Sequence, residues 1–219
     1  MQIKAILFDF DGTLANTVDL IIATFEHTCR TMLGTVPPRA AIVNTFGLPL
    51  GDAMLELSGR EELVEQMRDV YREYNNKHHD EMIKPIAGVQ ETLAALKEQG
   101  LKIAVVTSKK QPMVLRGIRC LQLEQYIDAA IALEDTQQSK PHAEPMLAAC
   151  ARLGVAPQEC LCVGDSPFDL QSGRNAGART VAVRYTAFAW EKIMEEGRPD
   201  YVIAQPQELP ELVRSVGEI

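Results

Sequence analysis

Hydrophobic residues recur along this chain with two spacings, one typical of buried strands and one typical of amphipathic helices. The first apolar run covers residues 3–8, is rich in strand formers and is too short for a helix, so it predicts a buried parallel strand. From residue 89 onward, segments with helical spacing alternate with short apolar runs of strand length. The later predicted strands cover 102–107, 129–133, 160–163, 180–183 and 201–203, and the helices around them cover 89–99, 113–123, 143–153, 168–176 and 208–216.

The regular alternation of strands and helices predicts an α/β fold with a Rossmann-like core. Its sheet is expected to be mostly parallel, with helices on both faces and right-handed crossovers between the strands. All strands of such a sheet end at the same edge, and ligands of open α/β sheets bind at that edge. Residues that directly follow the predicted strands are therefore the first candidates for chemistry.

A long helical block interrupts this alternation after the first strand. Apolar residues from Ile21 to Leu33 recur at helical spacing, and Gly34 ends that segment. Further helical patterns cover 39–46, 52–57 and 61–79.

The length of this helical block predicts a separate unit, because it is too long for a simple crossover between two strands. We expect an α/β core domain made of residues 1–15 and 86–219. Residues 16–85 are expected to form an inserted, all-helical cap subdomain. The crossings at 14–19 and 84–88 are predicted hinges between the two.

Composition and charge exclude several classes of function. The chain has 219 residues, 46% of them hydrophobic, and 22 basic against 30 acidic residues give a net charge of −8. This charge argues against nucleic acid or an anionic membrane as the main partner. We find no membrane span and no signal pattern, so a cytoplasmic location is expected. A monomer or homodimer is expected. Five scattered cysteines without a CxxC pair suggest neither a disulfide framework nor a zinc site.

Two carboxylates follow the first predicted strand. Asp9 and Asp11 flank Phe10, and Gly12 comes next, so the backbone can turn and bring main-chain N–H groups close to an anion. An Asp-Gly turn with solvated acids would explain the same residues without catalysis. The decision between the two depends on the other strand ends.

Polar side chains also follow the later strands. Thr107 and Ser108 end the second predicted strand, and Lys140 precedes Pro141 after the third. Taken alone, these residues are equally well explained as turn, capping or solvated side chains. Gly164 and Asp165 end a further strand, and Asp169 follows beyond a predicted helix N-terminus, where an acid can also serve the helix dipole.

Together the strand-end residues resemble the four motifs of the haloacid dehalogenase (HAD) superfamily of phosphohydrolases. DFDGTL at 9–14 resembles the first motif, Thr107 the second, Lys140 the third and GDSPFD at 164–169 the fourth. The resemblance covers the whole chain and includes a helical cap of the C1 type. Within the superfamily the chain looks most like the phosphoglycolate phosphatase group and, more closely, the PpaX-type inorganic pyrophosphatases. Segments 12–17, 21–28, 71–80, 140–145 and 199–203 carry that closer likeness.

The resemblance implies a catalytic set of Asp9, Asp11 and Lys140. Asp9 would attack phosphorus and form an aspartyl-phosphate, and Asp11 would act as general acid and base. The ammonium group of Lys140 would neutralise Asp9 and the bound phosphate. The expected enzyme is therefore a hydrolase of the phosphatase or pyrophosphatase type.

The resemblance also implies the residues that bind metal and substrate. Mg²⁺ is the expected cofactor, held by Asp9, the main-chain carbonyl of Asp11 and Asp165, with Asp169 as outer support. The substrate phosphate is expected to contact Gly12, Thr107, Ser108 and Lys140.

Three other readings compete with a phosphohydrolase. A metal-free dehalogenase is disfavoured by Asp11, because that branch of the family lacks the second acid. A β-phosphoglucomutase-like isomerase is weakened by Leu50, which stands where those enzymes carry an arginine. A non-enzymatic binding protein would be expected to lose one of the motif residues.

The expected substrate is a small and highly anionic phosphate. The cap turn at 47–51 is short and apolar, so it offers little to the hydroxyl groups of a sugar. We place inorganic pyrophosphate first and 2-phosphoglycolate or another small phosphomonoester second. The basic residues considered for the leaving group are Lys109, Lys110, Arg72, Lys77, His78 and His79.

Overall fold

The computed structural model describes residues 2–217 and has a six-stranded parallel sheet at its centre. The order of the strands in this sheet is β5-β4-β1-β6-β7-β8, and every neighbouring pair is parallel. This is the α/β architecture that the alternating pattern predicts. The strands are β1 (Ala5–Phe8), β2 (Ala15–Asn16), β3 (Lys84–Pro85), β4 (Lys102–Val106), β5 (Ala129–Ile131), β6 (Cys160–Gly164), β7 (Arg179–Val183) and β8 (Tyr201–Ile203).

The helices observed follow the predicted ones with small shifts of their ends. The two later helical segments of the helical block begin and end within three residues of their predicted limits, apart from a short 3₁₀ turn at Glu61–Leu63. The helices are α1 (Val18–Leu33), α2 (Arg39–Asn44), α3 (Leu50–Ser58), α4 (Val64–Met82), α5 (Val89–Glu98), α6 (Gln111–Cys120), α7 (Glu144–Leu153), α8 (Pro167–Ala176), α9 (Trp190–Lys192) and α10 (Leu209–Gly217).

Strand β1 is central and buried on both faces because its side chains alternate between two hydrophobic clusters. Ile6 and Phe8 pack with α5, α6 and α10 on one face. Ala5 and Leu7 pack with α7 on the other face. This two-sided burial explains why the strand reads as a continuous apolar run in the sequence.

The register of the central strands brings their carboxyl ends level with one another. Phe8 at the end of β1 pairs with Val105 of β4 on one side and with Val163 of β6 on the other. The residues that follow these strands, Asp9 and Asp165 among them, therefore emerge at one edge of the sheet. The sheet thus positions the candidate residues as the sequence predicts.

The helical block contributes a third hydrophobic cluster. Phe25 of α1, Met54 of α3 and Met67 of α4 are buried in it, and they pack with Leu170 and Phe188, which come from the part of the chain that forms the sheet. Helix α1 ends at Gly34, whose φ of 72° is left-handed, as the predicted glycine stop requires.

One feature at the predicted hinges is not visible in the sequence pattern. Strands β2 and β3 pair antiparallel, with Ala15 opposite Pro85 and Asn16 opposite Lys84, so the two crossings form a ribbon. Two-residue strands are too short to show any periodicity. Helix α9 has three residues and passes into a π-helical turn at Ile193–Gly197.

None of the helices within residues 2–217 combines the length and the apolar character that a membrane span needs.

Candidate active site

Asp9 is fixed in place by the strand that precedes it. Its main-chain N–H donates to the carbonyl of Val163 at 2.9 Å, which continues the pairing of β1 with β6. The residue is 7% exposed, and its carboxylate accepts a hydrogen bond from Lys140 Nζ at 2.6 Å. Burial, followed by the nearby Asp169, raises the pKa of Asp9 to about 7, although Lys140 acts in the opposite direction.

Lys140 lies in the interior with all three of its donors engaged. Its ammonium group contacts Asp9 Oδ1 at 2.6 Å, Asp169 Oδ1 at 2.6 Å and the carbonyl of Val106 at 3.0 Å. Burial by itself would lower the pKa of Lys140, but the carboxylates of Asp169 and Asp9 raise it above its ordinary value. The lysine therefore stays charged beside Asp9.

Asp169 is held by the N-terminus of α8. Ser166 caps this helix: its hydroxyl accepts from the N–H of Asp169 at 3.3 Å and donates to Asp169 Oδ2 at 2.6 Å, while the N–H of Ser166 donates to the same oxygen at 3.1 Å. Gly164 makes room for the side chain, since a Cβ at that position would lie 2.3 Å from Asp169 Cβ. The first-turn acid noted in the sequence is thus both a capping-box residue and an ion-pair partner of Lys140.

Asp165 is a buried carboxylate that lacks a cationic partner. It is 5% exposed, and within residues 2–217 no lysine, arginine or histidine forms an ion pair with it. Its side chain contacts the hydroxyl of Thr186 at 3.5 Å. Burial, and then the neighbouring Asp9 and Asp169, raise the pKa of Asp165 well above its usual value.

The three buried aspartates form a cluster that fits a hard cation. Asp9, Asp165 and Asp169 each place a carboxylate oxygen within 4.8 Å of the others. Gly12 lies against this cluster, because a Cβ at its φ of +80° would come within 2.3 Å of Asp165 Oδ2. An all-oxygen donor set with one carboxylate left unpaired is the chemistry that Mg²⁺ requires.

Asp11 lies outside the acid cluster and faces the cavity described below. Its Oδ1 accepts from the hydroxyl of Thr17 at 2.6 Å and pairs with Lys109 Nζ at 2.9 Å. The side chain is 22% exposed. Neither Thr17 nor Lys109 could be assigned to Asp11 from the sequence, because the first contact depends on the turn between β1 and α1 and the second on how the loop after β4 folds against that turn.

The two residues after β4 have different surroundings. Thr107 is 6% exposed, and its hydroxyl oxygen accepts from the N–H of Lys109 at 3.2 Å. The hydroxyl of Ser108 donates to the carbonyl of Gly47 at 2.8 Å, in the turn between α2 and α3. Ser108 therefore joins the strand edge to the helical block through its side chain.

One cavity of about 490 Å³ is lined by most of the candidate residues, whereas Lys140 is buried behind Asp9 and does not line it. Asp9, Asp11, Asp165 and Asp169 line it from the strand edge, together with residues of the loop after β4. Helices α1, α3 and α4 and the turn before α3 supply the remaining walls. The larger apolar side chains that they contribute are Val18, Ile21, Phe25, Phe46, Leu48 and Leu50.

Comparison with known proteins decides the family of this chain. The model of the family described as haloacid dehalogenase-like hydrolase matches residues 6–183. The chain belongs to the haloacid dehalogenase-like hydrolase family. The predicted resemblance is therefore confirmed, and the protein is an enzyme of the phosphatase class of this family.

Individual relatives narrow the position within the family. A PpaX protein of Clostridium perfringens is 44% identical over 98% of this chain and 99% of its own length. The pyrophosphatase PpaX of Halalkalibacterium halodurans is 38% identical over 99% of this chain and 98% of its own. A crystal structure of a predicted phosphoglycolate phosphatase from Haemophilus somnus superposes on this chain with a TM-score of 0.87 and is 22% identical in sequence. The match covers 97% of this chain and 98% of that one, so the two proteins share a fold.

The residues of the helical block are where prediction from the sequence was least successful. Of the cations of this block that were considered for the leaving group, Arg72 lines the cavity, whereas Lys77, His78 and His79 are not among its lining residues. Arg68, Tyr71 and Asn75 of α4 do line it and were not singled out. Their spacing along the helix was the available signal, but spacing alone does not say which face of a helix covers a site.

Proposed function

We propose that this enzyme is a Mg²⁺-dependent phosphohydrolase that acts on a small anionic phosphate, with inorganic pyrophosphate as the first candidate. The observation that carries the proposal is the buried carboxylate of Asp9, which contacts Lys140 at 2.6 Å and lines the same cavity as Asp11. The proposed nucleophile and a second acid thus line one cavity, and a buried cation contacts the first of them.

In the first half of the proposed reaction, a carboxylate oxygen of Asp9 attacks phosphorus. The new O–P bond forms as the P–O bond to the leaving group breaks, and the leaving oxygen takes a proton from Asp11. Thr17 and Lys109 hold the carboxyl group of Asp11 where it can make this transfer. Lys140 offsets the negative charge that Asp9 and the phosphoryl group bring together.

In the second half, water hydrolyses the aspartyl-phosphate. Asp11, now ionised, takes a proton from the attacking water, and the P–O bond to Asp9 breaks to release phosphate and regenerate the carboxylate. The main-chain N–H of Ser108 and the hydroxyl of Thr107 are the proposed phosphate ligands on the strand edge. Enclosure by the helical block keeps bulk water away during both steps.

The acid cluster is the proposed binding site for Mg²⁺. Asp9 and Asp165 would hold the ion with the main-chain carbonyl of Asp11, and Asp169 would act from outside by fixing Lys140 and the start of α8. The ion, when bound, supplies positive charge that screens the nucleophile from the phosphate. Gly12 is required beside it because any side chain there would collide with Asp165.

The substrate assignment rests on the relatives and on the walls of the cavity. The protein from Halalkalibacterium halodurans bears the name pyrophosphatase, and it aligns along nearly the whole chain. Leu48 and Leu50 line the cavity with apolar surface, which disfavours a sugar phosphate and hence the isomerase alternative. The second candidate substrate is 2-phosphoglycolate.

We also propose that residues 16–85 act as a cap on a core made of 1–15 and 86–219. The pairing of β2 with β3 supports this division, because the chain enters and leaves the helical block through one narrow ribbon. Such a ribbon is a natural place for the two parts to move relative to each other.

Steady-state kinetics on pyrophosphate, 2-phosphoglycolate and β-glucose 1-phosphate, with Mg²⁺ or with EDTA, test the proposal. We expect turnover that depends on Mg²⁺ and the highest kcat/KM for pyrophosphate. A higher kcat/KM for either organic phosphate would overturn the assignment of pyrophosphate as the substrate, but it would leave the proposed phosphohydrolase mechanism intact. Absence of turnover on every phosphate compound would favour a binding protein.

A further inference from the structure

The inner face of α4 carries two arginines, Arg68 and Arg72, that line the cavity. Tyr71 and Asn75 line it from the same helix, as expected for residues three, four and seven positions apart. Within residues 2–217, these arginines are the only cationic side chains that α1 to α4 contribute to the cavity walls. The helical block therefore meets the substrate with positive charge at one place.

The guanidinium group of Arg68 has a donor that no protein atom satisfies. Its Nη1 contacts Glu65, which is itself 74% exposed. Its Nε is buried and forms no hydrogen bond with any of residues 2–217. Buried donors in folded proteins nearly always have a partner, so the surrounding residues leave this guanidinium group short of acceptors, and the exposed 27% of the side chain belongs to a residue that lines the cavity.

Arg72 differs from Arg68 in its surroundings. Its side chain is 37% exposed, compared with 27% for Arg68, and its Nη1 lies 3.5 Å from Asp69. Arg72 is therefore the outer of the two cations, and Arg68 is the one with a buried and unused donor. This difference identifies Arg68 as the residue to test.

The charge distribution of the cavity says which part of a substrate Arg68 would meet. Four carboxylates, those of Asp9, Asp11, Asp165 and Asp169, line the strand edge, where the transferred phosphoryl group must lie. An anionic leaving group is repelled by these carboxylates and gains most from cations on the opposite wall. An alcohol or phenol leaving group carries no such charge.

We propose that Arg68 binds the phosphate that departs as the leaving group, and not the phosphoryl group that is transferred to Asp9. Arg68 would in this way select substrates with an anionic leaving group. This inference rests on the proposed function, and it assigns a role to a residue of α4 that the strand-end motifs do not include. A guanidinium group suits this role because its planar set of N–H donors matches the oxygens of phosphate.

The test compares Arg68→Gln with wild type on pyrophosphate and on p-nitrophenyl phosphate, whose leaving group has no phosphate. Loss of a hydrogen bond to a charged group predicts a fall of about 10- to 100-fold in kcat/KM for pyrophosphate, mainly through KM. The value for p-nitrophenyl phosphate should change by less than about 3-fold, because that leaving group has no phosphate oxygens for Arg68 to bind. Arg68→Lys should fall between wild type and Arg68→Gln.

Binding of imidodiphosphate to the Mg²⁺-loaded full chain, measured by calorimetry, gives a readout that does not depend on turnover. We expect its affinity to fall in Arg68→Gln by about the same factor as kcat/KM for pyrophosphate. The matched control is Arg60→Gln, which removes the same charge from an exposed position of the helical block outside the cavity. Arg60→Gln should behave as wild type in both assays.

The outcomes separate this inference from the proposed function. The role of Arg68 would be overturned if Arg68→Gln lowered kcat/KM equally for both substrates. It would also be overturned if the variant kept the wild-type kcat/KM for pyrophosphate and the wild-type affinity for imidodiphosphate. If wild type hydrolyses p-nitrophenyl phosphate but not pyrophosphate, the proposed substrate fails, and imidodiphosphate affinity then decides the role of Arg68 alone. Melting temperatures of the variants show whether either substitution has damaged the fold.

Discussion

Arg116 of α6 and Asp80 of α4 are joined by two hydrogen bonds, from Nε to Oδ1 at 2.9 Å and from Nη2 to Oδ2 at 3.0 Å. The same Nη2 donates to the carbonyl of Asn76 at 3.2 Å. His79 adds a contact of 2.7 Å between its Nδ1 and Asp80 Oδ1. The hydrogen bonds from Arg116 and then His79 hold the pKa of Asp80 below its usual range. This cluster links the last turns of the proposed cap to the proposed core.

Asp80→Asn should weaken the link between the proposed cap and the proposed core, with little cost in global stability. The pair is half exposed, so we expect the unfolding free energy to fall by less than about 1 kcal/mol. A larger open population lowers apparent affinity, so KM for pyrophosphate should rise by roughly 2- to 5-fold at low salt. The rise should diminish at high salt, where the wild-type ion pair is itself screened.

Glu73→Gln is the control for this experiment, because it removes a negative charge from an exposed position on the same helix. It should leave KM unchanged. An Asp80→Asn protein with wild-type KM at every salt concentration would show that the pair with Arg116 does not govern closure.

The strand edge could be predicted from the sequence because local patterns determine it. Asp9 and Asp165 directly follow apolar runs, and a parallel sheet brings such positions together whatever the details of its packing. The capping role of Ser166 was also predictable, because it depends on residues three positions apart. These features need no knowledge of distant contacts.

Other parts of the site depend on contacts between distant segments and left no local signal. The pairing of β2 with β3 joins residues about seventy positions apart, and each strand has only two residues. The link from Lys140 to Asp169 could not be read from either motif alone. The facing of α4 is decided by how it packs in the third cluster, so sequence spacing could not distinguish Arg68 from Lys77.

Asp9→Asn should abolish turnover and preserve the fold. An amide can neither attack phosphorus nor give the metal an anionic oxygen. Lys140 keeps Asp169 and the carbonyl of Val106 as partners, so the substitution does not leave an unpaired buried cation. Activity assays together with thermal melts test this prediction. More than a small residual activity in the pure variant would show that Asp9 is not the nucleophile.

The affinity for Mg²⁺ should depend on pH because of Asp9. Its pKa of about 7 lies above the ordinary value of 3.8, so folding favours the protonated form. In the metal-free protein, the stability from this group is complete below pH 3.8 and is lost as pH rises through 7. Mg²⁺ needs the ionised form, so the difference in melting temperature between Mg²⁺ and EDTA should grow from pH 6 to pH 8. A difference that is constant over this range would contradict the prediction.

Asp165→Asn and Asp169→Asn should separate metal binding from support of the fold. Asp165 is a buried carboxylate with no ion pair within residues 2–217, so replacing it should leave metal-free stability unchanged or higher while Mg²⁺ affinity is lost. Asp169 bonds Lys140 and caps α8, so its replacement should lower the unfolding free energy by about 1–3 kcal/mol and weaken Mg²⁺ affinity about 10- to 100-fold. Calorimetric Mg²⁺ titrations and denaturant unfolding in EDTA measure the two quantities on the same proteins.

Unchanged Mg²⁺ affinity in Asp165→Asn would remove this residue from the metal site. A loss of stability in Asp165→Asn as large as that in Asp169→Asn would show instead that the carboxylate of Asp165 has a structural partner in the fold.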